Sequence, residues 1–375
     1  MTSTTVSGRL IVDDRVAPGT LTIEDGLIAS VDVDVDGIAA DAPYIAPGFV
    51  DIHVHGWGGH DAMGDTAALD GMARALLRRG VTSFLPTAVT APLDDLAAFA
   101  DRVRAWMSSA PADGAEPLGF NLEGPFLAQA KRGAHAQAHL RAPASAPREV
   151  LDGLVDGLRL LTVAPELDGA TDLIGWLHRK GIAVSIGHSA AAVEQAWDAY
   201  AAGARSTTHL FNAMTGVDHR SPGVAVAALL DEDAYVELIA DGIHVHRAIW
   251  PLITRLKRPD RLLLVSDALA VAGTGDGRGR IGELEIEVTD GRATLAGTST
   301  LAGSVIALDS AVRNLASAGV PLPDAIAAAS RNPLELLGIG DRGHLATRQR
   351  ADLVELDEEL AVRRVMRGGT WVGLD

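Results

Sequence analysis

Residues 158–213 read LRLLTVAPELDGATDLIGWLHRKGIAVSIGHSAAAVEQAWDAYAAGARSTTHLFNA. Three apolar runs of strand length stand out: LRLLTVAPE, IAVSIGHS and ARSTTHLFNA. Between them, TDLIGWLHRKG and AAVEQAWDAYAAG space their apolar residues as a helix does, and each stops on a glycine, Gly181 and Gly203. Strands alternating with helices predict parallel neighbours, because a helix carries the chain back to the start of the next strand.

The alternation continues on both sides. Upstream lie YIAPGFVDIHV, GVTSFLPTA and LGFNLEGPF, with the helical stretches TAALDGMARALLRRG and LDDLAAFADRVRAWM. Downstream lie AYVELIADGIH and RLLLVSDAL, with HRAIWPLITRLK between them. Eight strands in this pattern predict an α/β fold, a closed (β/α)8 TIM barrel; an open, doubly wound sheet is the structural competitor. IGELEIEVTDGRATLAG then alternates around an Asp-Gly and reads as a hairpin insertion. Two helices follow, VIALDSAVRNLASAG and LPDAIAAASRNPLELLG. Both chain ends are strand-rich: VSGRLIVDD and GTLTIEDGLIASVDVDV at the start, ADLVELDEE and VRRVMRGGTWV at the finish. The expected organisation is a small β-sandwich domain from residues 1–47 together with 339–375, flanking a barrel over 48–338.

Composition narrows the chemistry. The chain has 375 residues, with 32 Lys plus Arg against 49 Asp plus Glu, a formal charge of −17. That argues against a nucleic-acid partner, whose phosphates are neutralised by cations. A small anionic substrate stays possible, since local charge can oppose net charge. There is no cysteine, so any metal must be held by histidines and carboxylates. No apolar run approaches the roughly 18 residues of a membrane span. The first residues, MTSTTVSGRLIVDD, lack the pattern of a signal peptide. A soluble cytoplasmic protein with no membrane partner is the expectation.

A barrel carries its site at the C-terminal ends of the strands. The first strand ends in Asp51-Ile52-His53-Val54-His55. Alternation points His53 and His55 the same way, toward one cation, although the pair alone reads equally as two core histidines. The third strand ends in Glu123, a charge that is costly to bury unless paired or bound to metal. The fifth ends in His188 and the sixth in His209. Four histidines and a glutamate at four strand ends suit zinc or a similar divalent ion. Asp267 closes the eighth strand, where a carboxylate could exchange protons with a water beside that ion. His244 follows the seventh strand and is expected to line the pocket, whereas His246, at the start of the next helix, is expected to be a surface or capping residue.

At these residues the sequence resembles the amidohydrolase superfamily, and within it the N-acetylglucosamine-6-phosphate deacetylases. The matching stretches are APGFVDIHVHG (46–56), LEGPF with KRGAH (122–135), IGHS (186–189), THLFNAM (208–214), RSPG (220–223), ADGIHV (240–245), VSDA (265–268) and LAGS (301–304). The resemblance implies removal of the acetyl group of N-acetylglucosamine 6-phosphate in amino-sugar recycling. It makes Glu123, His188 and His209 ligands of one metal, most simply Zn2+, and Asp267 the catalytic acid and base. It puts His135 near the acetyl carbonyl, and Asn212, Ala213 and His244 beside the sugar phosphate. Arg220 matches a phosphate-binding position that can be supplied across a homodimer interface. Members lacking the first-strand histidines keep one ion; this chain has both His53 and His55, so one or two ions remain open. None of the three lysines, Lys131, Lys180 and Lys257, ends a predicted strand, so Glu123 is the better candidate than a modified lysine to bridge two ions. The neighbouring readings are deacetylation of the galacto epimer, opening of a cyclic amide, and a non-catalytic binding barrel.

Overall fold

The computed structural model describes residues 3–373. Each of the eight predicted runs contains one parallel barrel strand: Phe49–Val54, Val81–Ala88, Phe120–Glu123, Leu158–Val163, Ala183–Ile186, Ser206–Thr207, Tyr235–Leu238 and Leu262–Leu264. Neighbours pair in chain order from the first to the eighth. The eighth and first meet just past the ladder. There the Asp267 N–H donates to the His53 carbonyl at 2.9 Å, and the His55 N–H to the Ala268 carbonyl at 2.8 Å. Closure therefore falls at the rim where the candidate residues sit.

Alternation along these strands divides the core. Phe49, Phe84, Phe120, Leu161 and Leu264 pack outward with the helices, including Phe99 and Trp106 of the helix Leu93–Met107. Val50, Ile52, Leu85, Leu160, Leu263 and Val265 point the other way and meet Leu334 and Leu337. Each large side chain buried this way contributes roughly 1.5–3 kcal/mol. These layers hold the strand ends rigidly enough to aim short polar side chains.

The two chain ends share a second sheet of seven strands, ordered Thr370–Val372, Val362–Arg367, Leu353–Leu356, Tyr44–Pro47, Ser3–Val12, Arg15–Glu24 and Leu27–Val33. A bridge between Leu27 and Arg350 folds it around Leu10, Leu21, Ile23, Ile45, Leu353 and Met366. Arg342, Arg350 and Arg367 of this terminal region converge on Glu116, which pairs with the second barrel strand.

Three local expectations need correction. The insertion is a three-stranded sheet, Gly277–Ile281, Leu284–Thr289 and Arg292–Leu295. Its first strand, GRGRI, shows no apolar alternation because its surface is mostly exposed. The stretch from Leu322 is two helices, Leu322–Ala328 and Arg331–Leu336, interrupted where the Ser330 hydroxyl takes the Ile326 carbonyl. Pro333 is tolerated because it falls in the first turn of the second helix. The stretch after His246 opens as a 3-10 turn, Arg247–Ile249, before the helix Trp250–Leu256. Among the described residues no helix is long and apolar enough to cross a membrane.

Candidate metal centre

Glu123 ends the third strand and is buried. Its Oε1 lies 2.9 Å from both His188 Nε2 and His209 Nε2, which are 3.1 Å from each other. Its Oε2 lies 3.1 Å from His55 Nε2, 3.3 Å from His135 Nε2 and 3.5 Å from His53 Nε2. Asp267 Oδ1 faces the same first-strand pair, 3.2 Å from His55 and 3.6 Å from His53. One carboxylate thus spans two histidine pairs.

The outer ring nitrogens reveal what this centre is built to hold. His188 Nδ1 lies 2.8 Å from the Lys131 carbonyl, and His55 Nδ1 lies 3.1 Å from the Thr87 carbonyl. His53 Nδ1 lies 3.0 Å from Glu237 Oε2. Carbonyls and carboxylates only accept, so each Nδ1 carries a proton and each neutral ring aims an Nε2 lone pair inward. The Nε2 atoms of His53 and His55 are buried without a hydrogen-bond partner. Lone pairs converging on the oxygens of Glu123 and Asp267 repel one another unless a cation lies between them. A divalent metal therefore fits the donor set, and His–carboxylate and His–carbonyl contacts are the usual means of orienting metal-binding imidazoles.

His135 differs. The Thr90 N–H donates to its Nδ1 at 3.3 Å, and the Thr90 hydroxyl lies 2.9 Å away. That leaves the proton on Nε2, so His135 enters the centre as a donor.

Charge follows the same geometry. Burial opposes ionisation throughout, yet contacts with Asp267 and Glu123 favour positive charge at His55 and push it up to about 9, so a proton competes with a metal for its Nε2 lone pair. Burial together with neighbouring His135 pushes His188 down to about 4. Burial also resists charge on Asp267, but His53 and His55 hold its carboxyl below the usual value, which keeps it ionised.

Backbone geometry at three strand ends is unusual. His188, His209 and Asp267 have φ of 47°, 29° and 50°, in the left-handed region that costs most residues about 1–3 kcal/mol. Each is held by its neighbours. The His209 N–H donates to Glu237 Oε2 at 3.1 Å, and the Asp267 carbonyl accepts from Ser304 N–H at 2.7 Å. The turns direct the three side chains to the barrel mouth.

The centre forms the floor of a cavity of ≈ 390 Å³ whose walls include Lys131, His135, Phe211, Asn212, Ala213, His244, Ile281, Leu301 and Gly303. Asn212 uses its amide nitrogen on the His209 and Leu210 carbonyls, at 3.1 and 3.2 Å, which fixes the turn. Arg220 is exposed, donates to His219 at 3.0 Å and does not line this cavity. His246 accepts from Ala248 N–H and caps the turn that follows. Lys131 reaches the cavity wall, and its carbonyl orients His188; Lys257 donates to the Ala228 and Asp231 carbonyls instead.

Glu237 and Thr90 are functional positions that are not among those expected from the sequence. Glu237 carried a usable signal, since a charge inside YVELIADGIH is the same anomaly that marked Glu123. Thr90 carried none.

A scan of protein families matches residues 44–372 to the Amidohydrolase family. An N-acetylgalactosamine-6-phosphate deacetylase of Escherichia coli O157:H7 is 39% identical over 350 residues, covering 92% of each chain. An N-acetylglucosamine-6-phosphate deacetylase of Bos taurus is 39% identical over 385 residues, covering 98% of this chain and 90% of that one. Among solved structures, the N-acetylglucosamine-6-phosphate deacetylase of Thermotoga maritima superposes with a TM-score of 0.92 at 34% identity, covering 99% of each chain. A mutant of the Mycobacterium smegmatis enzyme in complex with N-acetyl-D-glucosamine-6-phosphate has a TM-score of 0.90 at 36% identity, covering 99% of this chain and 100% of that one.

Proposed function

The chain belongs to the amidohydrolase family, and on that premise we propose that it hydrolyses the acetamide of N-acetyl-D-glucosamine 6-phosphate to D-glucosamine 6-phosphate and acetate. The observation that carries this reading is the donor set on the cavity floor, where inward Nε2 atoms and Glu123 meet beside an ionised Asp267.

Glu123, His188 and His209 would hold one divalent ion, for which we propose zinc, and His53 and His55 offer a second set across the other Glu123 oxygen. Bound there, the ion would polarise the acetyl carbonyl and acidify a water. Asp267 accepts the proton of the attacking water as the new C–O bond forms. The His135 Nε2–H donates to the oxygen that gains charge. Asp267 then returns the proton to the departing sugar nitrogen as the C–N bond breaks. Asn212, Ala213 and His244 hold the sugar phosphate from the cavity wall.

We further propose a homodimer in which Arg220 reaches the partner's site. In its own chain Arg220 is exposed and outside the cavity, and Val217 and Leu230 present apolar surface nearby in sequence. The proposed division is 1–47 with 339–375 as the terminal unit and 48–338 as the barrel, and the proposed compartment is the cytoplasm.

Acetate release from N-acetylglucosamine 6-phosphate by the metal-loaded protein tests the function. No release in the presence of zinc or another divalent ion overturns it. The galacto epimer belongs in the same assay, because a relative at 39% identity bears that name. Faster turnover of that epimer would reassign the substrate and keep the chemistry.

A further inference from the structure

Asp241 follows the seventh barrel strand, and none of the steps above uses it. Its side chain is only 10% exposed, and that of His244 is 7% exposed. Asp241 Oδ1 accepts the backbone N–H groups of Ile243 and His244, both at 2.8 Å. Its Oδ2 lies 2.7 Å from His244 Nδ1. Burial opposes charge on this carboxyl, yet the His244 contacts and the backbone donors hold its pKa below the ordinary value. An ionised carboxylate only accepts, so His244 Nδ1 carries the proton.

The loop is built to make this contact. Gly242, at φ 77°, supplies the left-handed step that returns the chain over the carboxylate. Behind it, Asn314 Nδ2 donates to the Ala240 carbonyl at 2.9 Å, and Arg247 donates to Asn314 Oδ1 at 3.3 Å. His244 lines the cavity with Asn212 and Ala213. With Nδ1 taken, Nε2 is the ring nitrogen left for a ligand.

We propose that Asp241 is the positioning residue for sugar-phosphate recognition: it fixes the ring plane and tautomer of His244, so that Nε2 alone is presented to the phosphorylated substrate. The inference rests on the reading above that this cavity takes an N-acetylhexosamine 6-phosphate. A carboxylate behind a histidine sets which nitrogen faces outward, the device that elsewhere orients metal-binding imidazoles. Here it serves a ligand and removes the ring freedom that binding would otherwise have to quench.

The test uses Asp241→Asn, Asp241→Ala, His244→Ala and the double variant Asp241→Asn/His244→Ala, assayed on N-acetylglucosamine 6-phosphate and on N-acetylglucosamine. Asparagine keeps an oxygen for the two backbone donors but turns an N–H toward His244 Nδ1, so it preserves the turn and breaks the tautomer. For Asp241→Asn we expect kcat/KM on the phosphorylated sugar to fall about 10-fold through KM, the scale of one charge-assisted hydrogen bond. The unphosphorylated sugar should change less than about twofold, and Asp241→Asn should add nothing to His244→Ala, as coupled residues behave. Asp241→Ala, which also loses the backbone caps, should be worse than Asp241→Asn. Equal losses on both sugars, or full additivity with His244→Ala, would overturn the proposal and leave Asp241 a structural cap. If the wild type releases no acetate, the proposed function fails. Calorimetric binding of N-acetylglucosamine 6-phosphate to wild type and Asp241→Asn then decides this point: about 10-fold weaker binding supports it and equal binding overturns it.

Discussion

Glu237 Oε2 lies 3.0 Å from His53 Nδ1, with both side chains fully buried. The same oxygen accepts the His209 N–H at 3.1 Å. One carboxylate therefore orients a first-strand histidine and fixes the turn that carries a sixth-strand histidine. Glu237→Ala removes the shared acceptor, which frees the His53 ring to take either tautomer and leaves the His209 N–H unpaired. Metal affinity is expected to fall roughly 10- to 100-fold, as for other residues that orient metal-binding histidines. Metal titration followed by elemental analysis measures it; unchanged affinity would remove Glu237 from this role.

Asp267→Asn removes the proton acceptor at nearly constant volume. Turnover is expected to fall by at least about 10²-fold, with metal content and substrate binding retained. Near-normal kcat in the metal-loaded variant would reassign the acid and base.

His209→Gln takes one nitrogen from the set around Glu123 Oε1. Metal and activity are expected to disappear together, whereas replacing His53 and His55 should leave one ion bound. Elemental analysis of both variants separates the two sets. Full metal retention in His209→Gln contradicts the assignment.

Arg220→Ala is expected to lower kcat/KM for the phosphorylated sugar by about 10- to 150-fold, the value of a charge-assisted contact, and to spare N-acetylglucosamine. Because Arg220 lies outside its own cavity, the Arg220→Ala and Asp267→Asn chains should complement each other. Random mixing of subunits should restore about a quarter of wild-type activity, since half of the dimers would carry one intact site. No recovery on co-expression would place Arg220 in its own subunit's function.

Glu116→Gln tests the joint between the barrel and the terminal sheet. Burial opposes charge on Glu116, but Arg342, Arg350 and Arg367 hold its carboxyl below its usual 4.5. A lowered folded-state value means that the stabilisation is complete above pH 4.5 and is lost as pH falls through the folded value. Near pH 7 the variant should lose about 2 kcal/mol, the scale of hydrogen bonds to charged groups. Denaturant melts should show that gap closing below pH 4.5. A gap independent of pH would assign the effect to packing.

Much of this protein was legible along the chain. Strand and helix periods depend on residues a few positions apart, and all eight barrel strands lie within runs read from that spacing. The placement of His53, His55, Glu123, His188, His209 and Asp267 at strand ends was equally local, because a polar residue closing an apolar run is anomalous in any barrel. The strand GRGRI escaped because its pairing comes from Leu284–Thr289 and not from its own pattern.

Tertiary structure alone decided how those residues divide the work. Sequence spacing cannot tell that Glu123 gives one oxygen to His188 and His209 and the other to His53, His55 and His135. Nor can it tell that Thr90 makes His135 a donor while Lys131, Thr87 and Glu237 turn the lone pairs of His188, His55 and His53 inward. A tautomer is set by whichever atom comes within about 3 Å of the far ring nitrogen. In this barrel that atom comes from a loop, a neighbouring strand or the opposite wall, and it arrives only when the eight strands close.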